Sequence, residues 1–339
     1  MELFVDSGIN DRVYHLEEDR RRPGYVIFND GGALKSTNGQ TMLTIAGTTS
    51  APGYENGQAS SAKFEDFISS FLYVNNSHLI VSDSKNYCLR LFNLIDEIVS
   101  DFAGRCKTRG FASGPLLNAE FKYPTYMTWG QGKYEYFLYI LDQEARSIRY
   151  IDLTRDFVFK LVDTTEELRD VTGIVFDTVS DNKLVVKSSY YIRKVYVDSY
   201  GKPMETIYTA SWQVRQDHRD RDGILAESYC AGYGDWIAIG KNVYLQTGER
   251  TSGRLRVMDL KKGGVSTICL EHGRTNAIDF KGGSIDKCQL PLAHSVALIA
   301  NDIYVGGSGA IYKLKSNYIR HSLLLYSEII SMSLLKIIS

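Results

Sequence analysis

The sequence predicts an all-β fold, a six-bladed β-propeller of four-stranded antiparallel blades, and three observations predict it. A glycine-rich block recurs in register. Each copy is followed by short apolar runs separated by turn residues. The composition is strand-rich, with 12% aromatic residues, 23 tyrosines and only 6 prolines. A length of 339 residues exceeds the usual single domain, and one large all-β ring over 1–339 accommodates it. With 44% hydrophobic and 23% charged residues the chain is neither disordered nor built of membrane spans. Its 39 basic and 40 acidic residues lack the charge footprint of a nucleic-acid or anionic-membrane binder.

The block reads Ala46-Gly47, then Gly53-Tyr54-x-x-Gly57-x-x-x-x-Ala62-x-Phe64. Its second copy reads Ala103-Gly104, then Gly110-Phe111-x-x-Gly114-x-x-x-x-Ala119-x-Phe121, every offset being 57 residues. Downstream lie three apolar runs per copy, at Ser70–Val74, Leu79–Asp83 and Leu89–Leu94, and at Thr125–Trp129, Phe137–Asp142 and Ile148–Leu153. The runs before each Ala-Gly, Met42–Ile45 and Ile98–Phe102, make four strands per unit, which is the content of one blade. An apolar residue followed by Arg or Tyr marks the units: Val13-Tyr14, Leu89-Arg90, Ile148-Arg149, Ile192-Arg193, Leu255-Arg256 and Ile311-Tyr312. That gives six units with steps of 76, 59, 44, 63 and 56 residues, above the ~40–50 of known blades. The long first step is read as holding an insertion around Arg20–Asn38.

These residues resemble the NHL-repeat family of β-propellers. The resemblance rests on the Ala-Gly after the outer strand, the Gly-aromatic-x-x-Gly loop, Leu79-Ile80-Val81-Ser82-Asp83-Ser84 and Cys88-Leu89-Arg90. It covers nearly the whole chain, most weakly between Asp163 and Asp235. Leu3–Asp6 reads as the second strand of a blade and Arg12–Leu16 as its third. The tail supplies Leu323–Ile329 and Met332–Ile338 as an outer and an inner strand. The ring is thus expected to close through both termini, with the first blade shared between 1–40 and 322–339.

Antiparallel order puts the longest loops on one face, and function collects on loops held by a rigid scaffold. On that face Trp212, Arg215, Tyr229 and Arg274 differ from blade to blade and are the candidate ligand contacts, since Trp, Tyr and Arg dominate interface energetics. Tyr54 and Phe111 occupy equivalent repeat positions and are expected to pin their loops. Asp217-x-x-Asp220-x-Asp222-Gly223 lacks the alternating ligands and terminal Glu of a calcium loop.

Of six histidines only His294 begins an inner strand at the tunnel mouth. It is a weak candidate metal ligand, because a catalytic zinc needs three protein ligands. The amidating-lyase members of the resembled fold ring their tunnel with several histidines, and this sequence departs from that. No catalytic residue and no cofactor is assigned. Asp6, Asp83 and Asp142 end second strands and are expected to bond their own turns. Arg20-Arg21-Arg22 follows Glu17, Glu18 and Asp19, which offset its charge.

Five cysteines lack the paired spacings of a zinc ribbon or redox site. Cys88 opens a third strand and Cys106 follows the adjacent outer strand, so antiparallel pairing brings them within disulfide reach. Cys269 and Cys288 offer a second pair, with Cys230 competing for Cys288. Asn75-Asn76-Ser77 is the only N-glycosylation sequon. No secretory signal opens the chain, and the apolar segment Ser322–Ser339 is interrupted by Ser327, Glu328 and Lys336, so no membrane span is expected. The reading is a non-enzymatic extracellular scaffold that binds a protein or glycan through its long-loop face. The alternatives are an intracellular RNA-binding propeller and a metal-dependent lyase or hydrolase with its site at the tunnel.

Overall fold

The computed structural model describes residues 2–5, 8–177, 183–188, 191–197, 205–209, 223–224, 236–240, 243–247, 255–259, 264–271, 289–290, 293–300 and 302–314. For 205–209, 223–224, 236–240, 243–247, 264–271 and 289 the backbone alone is described. The described strands fall into six sheets, antiparallel but for one short parallel pairing, of Leu270 and Glu271 with Gln289 and Leu290. The first sheet contains Leu16–Glu18, Val26–Asp30, Ala33–Thr37 and Met42–Gly47. The second has Ile68–Asn75, His78–Asp83, Cys88–Asn93 and Ile98–Ala103, and the third Pro124–Trp129, Phe137–Asp142, Ser147–Asp152 and Phe157–Val162. The fourth runs Val171–Asp177, Lys183–Ser188, Tyr191–Tyr196 and Glu205–Thr209. Trp236–Gly240, Val243–Thr247, Leu255–Asp259 and Gly264–Glu271 make up the fifth. In the sixth, Ala293–Ile299, Asp302–Gly307 and Ile311–Leu314 are joined by Glu2–Val5.

Successive sheets touch mainly through their innermost strands, although the first meets the second through Val26–Asp30 against Ile68–Asn75, and the sixth touches the first. The core is accordingly distributed between neighbouring sheets. Ile27, Leu34 and Ala46 of the first pack on Phe64, Ile68 and Phe71 of the second. Ile80, Leu89 and Ala103 meet Phe121, Met127 and Leu138, and Tyr139 and Leu141 meet Val171 and Phe176. Val13, Leu16 and Phe28 meet Ala297, Tyr304 and Ile311.

The repeat motif has a steric cause. Gly47 and Gly104 have φ of +76° and +89°, a region that L side chains rarely adopt. A Cβ on Gly104 would lie 2.7 Å from the Phe121 ring, and one on Gly47 would lie 2.9 Å from the Phe64 ring. Each glycine therefore lets the buried Phe of the next incoming loop close over the end of the outer strand. Gly53 N donates to Phe64 O at 2.9 Å and Gly110 N to Phe121 O at 3.0 Å, folding the loop onto itself. The loop then adds a short fifth strand, with Gly57–Gln58 pairing Ile98–Ala103 and Gly114–Pro115 pairing Phe157–Val162. These extra strands account for a repeat longer than an ordinary blade.

Three expectations are corrected here. Glu2–Val5 is the outer strand of the sixth sheet, with Glu2 opposite Lys313 and Leu3 opposite Tyr312, and not the second strand of the first. The segment read as an insertion at 20–38 holds two of the first sheet's strands. Val13-Tyr14 precedes the innermost strand, and the position equivalent to Leu89-Arg90 is Leu34-Lys35, whose ammonium donates to buried Asp30. The tail strands expected at 323–329 and 332–338 lie outside the described residues.

Candidate binding site at the tunnel mouth

The innermost strands of the first three sheets are each entered from an incoming loop, and buried acceptors fix those loops. Asp83 Oδ1 accepts from Glu65 N at 3.2 Å, Asp142 Oδ1 from Tyr123 N at 2.7 Å, and Asp30 Oδ1 from Asp11 N at 2.8 Å. Asn29 Oδ1 takes the N–H groups of Tyr14 and His15 at 2.8 and 2.9 Å. Asp83 does bond its own turn, accepting from Asn86 Nδ2 at 2.9 Å, but the hydrogen bonds of Asp142 run to the chain about twenty residues upstream, an anchor that Asp83 makes too. Asp6 lies outside the described residues. Burial pushes the Asp83 carboxyl up to about 6 and raises that of Asp142, against the opposing pull of their N–H and arginine partners.

An arginine in the third strand completes the anchors of the second and third sheets, where the first sheet uses Lys35. Arg90, fully buried, donates to Asp83 Oδ2 at 3.0 Å, to Glu55 O at 2.9 Å and to Asn56 Oδ1 at 2.6 Å. Its guanidinium stacks on Tyr54 at 4.6 Å and Phe64 at 5.3 Å. Arg149, also buried, donates to Glu120 O and Ala112 O at 3.0 Å and stacks on Phe111 at 4.9 Å and Phe121 at 5.2 Å. The Tyr54 hydroxyl donates to Asp101 at 2.6 Å, whereas Phe111 has no hydroxyl and the equivalent strand position carries Lys160, 4.1 Å above its ring. Tyr54 and Phe111 therefore pin their loops.

What these anchors position is a set of rings at the starts of four innermost strands that are neighbours in the sheet order. Phe67 immediately precedes Ile68, Tyr123 precedes Pro124, Tyr14 stands two residues before Leu16, and His294 is the second residue of its strand. Tyr14 and Phe67 meet edge to face at 4.9 Å. Phe67 and Tyr123 are parallel within 15° at 6.2 Å, and Tyr14 lies 5.8 Å from His294. Tyr14, Phe67 and Tyr123 are half-buried, so part of each ring faces solvent. Burial pushes the Tyr123 hydroxyl up to about 12, and the nearby Glu144 and Asp66 carboxylates add to the shift. At the rim Lys85 pairs with Asp66, and Arg109 Nε with Glu144 at 3.1 Å.

No family model and no curated protein sequence matches the chain. Solved structures do match. An auxiliary nutrient binding protein from Bacteroides ovatus aligns with a TM-score of 0.62 at 11% identity, over 91% of this chain and 70% of that one. The extracellular domain of a hybrid two-component system from B. thetaiotaomicron aligns at 0.55 and 11% identity, over 92% of this chain and 39% of that one. A gluconolactonase from Xanthomonas campestris aligns at 0.56 and 10% identity, over 92% and 88%. The fold is a β-propeller. At these identities the propeller alone is shared, and it serves binding proteins and a lactonase alike.

The sequence-predicted site residues fare unevenly in this propeller. Trp212, Arg215, Tyr229 and Arg274 lie outside the described residues, as do Cys230 and Cys288, while only the backbone of Cys269 is described. Cys88 and Cys106 form a disulfide with Cα atoms 5.0 Å apart. Asn75 is exposed, its Oδ1 accepting from Ser77 N and Oγ at 2.8 and 2.9 Å. His294 is buried and bonds Ser308 Oγ through Nε2 at 2.8 Å. Among the described residues no three His, Cys, Asp or Glu side chains gather as a metal site, and no helix is long and apolar enough to cross a membrane. The arginine run is a clamp. Arg21 and Arg22 pair with buried Asp19, Arg21 also donates to Leu94 O at 2.9 Å in the second sheet, and Arg20 covers Tyr73 at 4.2 Å.

Sequence reasoning missed the mouth rings as a group. Phe67 and Tyr123 stand three and two residues after their repeat phenylalanines, so their offset is 56 where the motif runs at 57. An alignment strictly in register pairs Phe67 with Pro124 and hides the equivalence.

Proposed function

We propose that this chain is a non-enzymatic recognition module, a six-bladed NHL-type propeller acting outside the cell, which holds a protein or glycan ligand on its long-loop face. The observation that carries the reading is the arc of Tyr14, Phe67, Tyr123 and His294 at the mouth formed by the starts of four neighbouring innermost strands, held in place by buried acceptors. Rigid rings presented on a fixed scaffold give contact area at small entropic cost, as binding sites require. The succession of six sheets, the sixth against the first, supports the blade count. A disulfide suits an oxidising compartment. Internal use of Arg20, Arg21 and Arg22 as a clamp counts against the RNA-binding alternative.

Trp212, Arg215, Tyr229 and Arg274 extend this proposal to the surrounding loops. Glycosylation at Asn75 belongs to it too, on the face opposite those loops, where a glycan leaves the ligand free access. The test is an array of immobilised glycans and secreted proteins probed with the intact chain, then with Tyr14→Ala, Phe67→Ala and Tyr123→Ala. Loss of a specific signal in at least two of the three variants is expected. Loss only from changes around Asn75, or metal-dependent lactone hydrolysis that the same variants abolish, would overturn the reading.

A further inference from the structure

Throughout this propeller, cationic heads lie on aromatic faces. Arg20 covers Tyr73, Arg90 covers Tyr54 and Phe64, Arg149 covers Phe111 and Phe121, and Lys160 covers Phe111, all within 4.1 to 5.3 Å. Phe67 and Tyr123 are not among the covered rings: among the described residues no Lys or Arg head stacks on either, and the two lie parallel to each other at 6.2 Å. The charges felt most strongly by the Tyr123 hydroxyl are the carboxylates of Glu144 and Asp66. Both carboxylates have partners, Arg109 and Lys85, but these pairs are about half exposed at the rim. Exposed pairs of that kind are worth ~0–1 kcal/mol and rearrange readily.

We propose that the mouth receives an organic cation, a methylated ammonium or guanidinium head seated against the faces of Phe67 and Tyr123 with the Asp66 and Glu144 carboxylates at its edge. The negative face of each ring attracts a cation, most strongly where water is displaced. An anionic ligand would meet both carboxylates. A neutral sugar would stack on the rings and donate hydroxyl hydrogen bonds to the carboxylates, but would gain nothing from pairing with their charge. This inference rests on the mouth being the binding site. The same head could belong to a free quaternary ammonium compound or to a basic side chain of a protein partner.

Calorimetric titration of the intact chain separates the cases. The probes are choline, its neutral isostere 3,3-dimethylbutan-1-ol, a methyl glucoside, and a short peptide carrying either trimethyllysine or leucine. At least one cationic probe should bind roughly fivefold or more tighter than its neutral counterpart, and Phe67→Leu and Tyr123→Leu should each cost it a similar factor. Asp66→Asn and Glu144→Gln, at exposed positions, should weaken the cation and leave the neutral probes unchanged. Choline binding points to a free ligand and binding of the peptide alone to a protein partner. Equal affinity for cation and isostere, or no binding of either cation, overturns the proposal. If the glucoside alone binds and Tyr123→Leu abolishes it, the cation fails while the mouth stands. If neither Leu variant alters any bound probe, both fall.

Discussion

Replacing Arg90 with Met tests whether the two matched blades are held by the same forces. The side chain is fully buried, and the substitution keeps most of its volume while removing the guanidinium. Asp83 then loses its 3.0 Å charged donor, and the carbonyls of Glu55 and Lys63 lose donors at 2.9 and 3.3 Å. Breaking a buried ion pair from one side costs about 3–5 kcal/mol. Arg149 differs in one respect: it lies 4.0 Å from Asp142 and makes its hydrogen bonds mainly to the carbonyls of Phe159, Glu120 and Ala112. Asp142 meanwhile keeps the N–H groups of Lys122 and Tyr123. Arg149→Met should therefore cost less, about 2–3 kcal/mol, chiefly through the stranded carbonyls. Urea unfolding of both single variants, of Asp83→Asn and Asp142→Asn, and of the paired doubles gives the two coupling energies. A coupling of about 2 kcal/mol is expected for Arg90 with Asp83, against less than ~1 kcal/mol for Arg149 with Asp142. Equal couplings, or an Arg90→Met cost below ~1 kcal/mol, would refute the assignment of the first anchor to its ion pair.

Three further outcomes follow from the same contacts. Joint replacement of Cys88 and Cys106 by Ser opens a link spanning 18 residues and should cost about 3 kcal/mol in the chain-entropy model, read as a shift of the urea midpoint; an unshifted midpoint contradicts it. Tyr73 and Tyr123 hold their protons to about 12 when folded, against 10.0 for the free phenol. Their contribution is complete below pH 10 and declines as pH rises from 10 to 12. The loss is roughly 2 kcal/mol for Tyr73 and less for the more exposed Tyr123, and spectroscopic tyrosinate titration alongside unfolding should show both ionising late. Removing residues 1–5 strips the outer strand from Ile311–Leu314 and bares that edge. The shortened chain should aggregate or lose cooperativity in light scattering and thermal melts, and an equally stable soluble monomer would argue against closure by this strand.

The legible parts of this sequence are those fixed by local sterics. Ala-Gly and Ala-x-Phe recur because a Cβ at Gly47 or Gly104 would strike the phenylalanine of the following loop, so the constraint is written wherever the contact is made. The register of two adjacent strands, an equally local constraint, places Cys88 beside Cys106. Long-range choices leave no such mark. Leu3-Phe4-Val5 has the pattern of any short strand, and its assignment to the outer edge of the sixth sheet is decided by residues more than three hundred positions away, Tyr312 and Lys313. Lys35 falls outside the apolar-Arg/Tyr pattern because a lysine answers Asp30 where an arginine answers Asp83, although the ion pair is the same in kind. The mouth shows the other side of this. The repeated aromatics Tyr54, Phe64, Phe111 and Phe121 are committed to stacking under the anchoring arginines, so periodicity leads to the scaffold. Phe67 and Tyr123 sit one position out of register with the repeat. Among the described residues no Lys or Arg head stacks on either ring; instead they lie parallel to each other at 6.2 Å, with Tyr14 edge-on to Phe67.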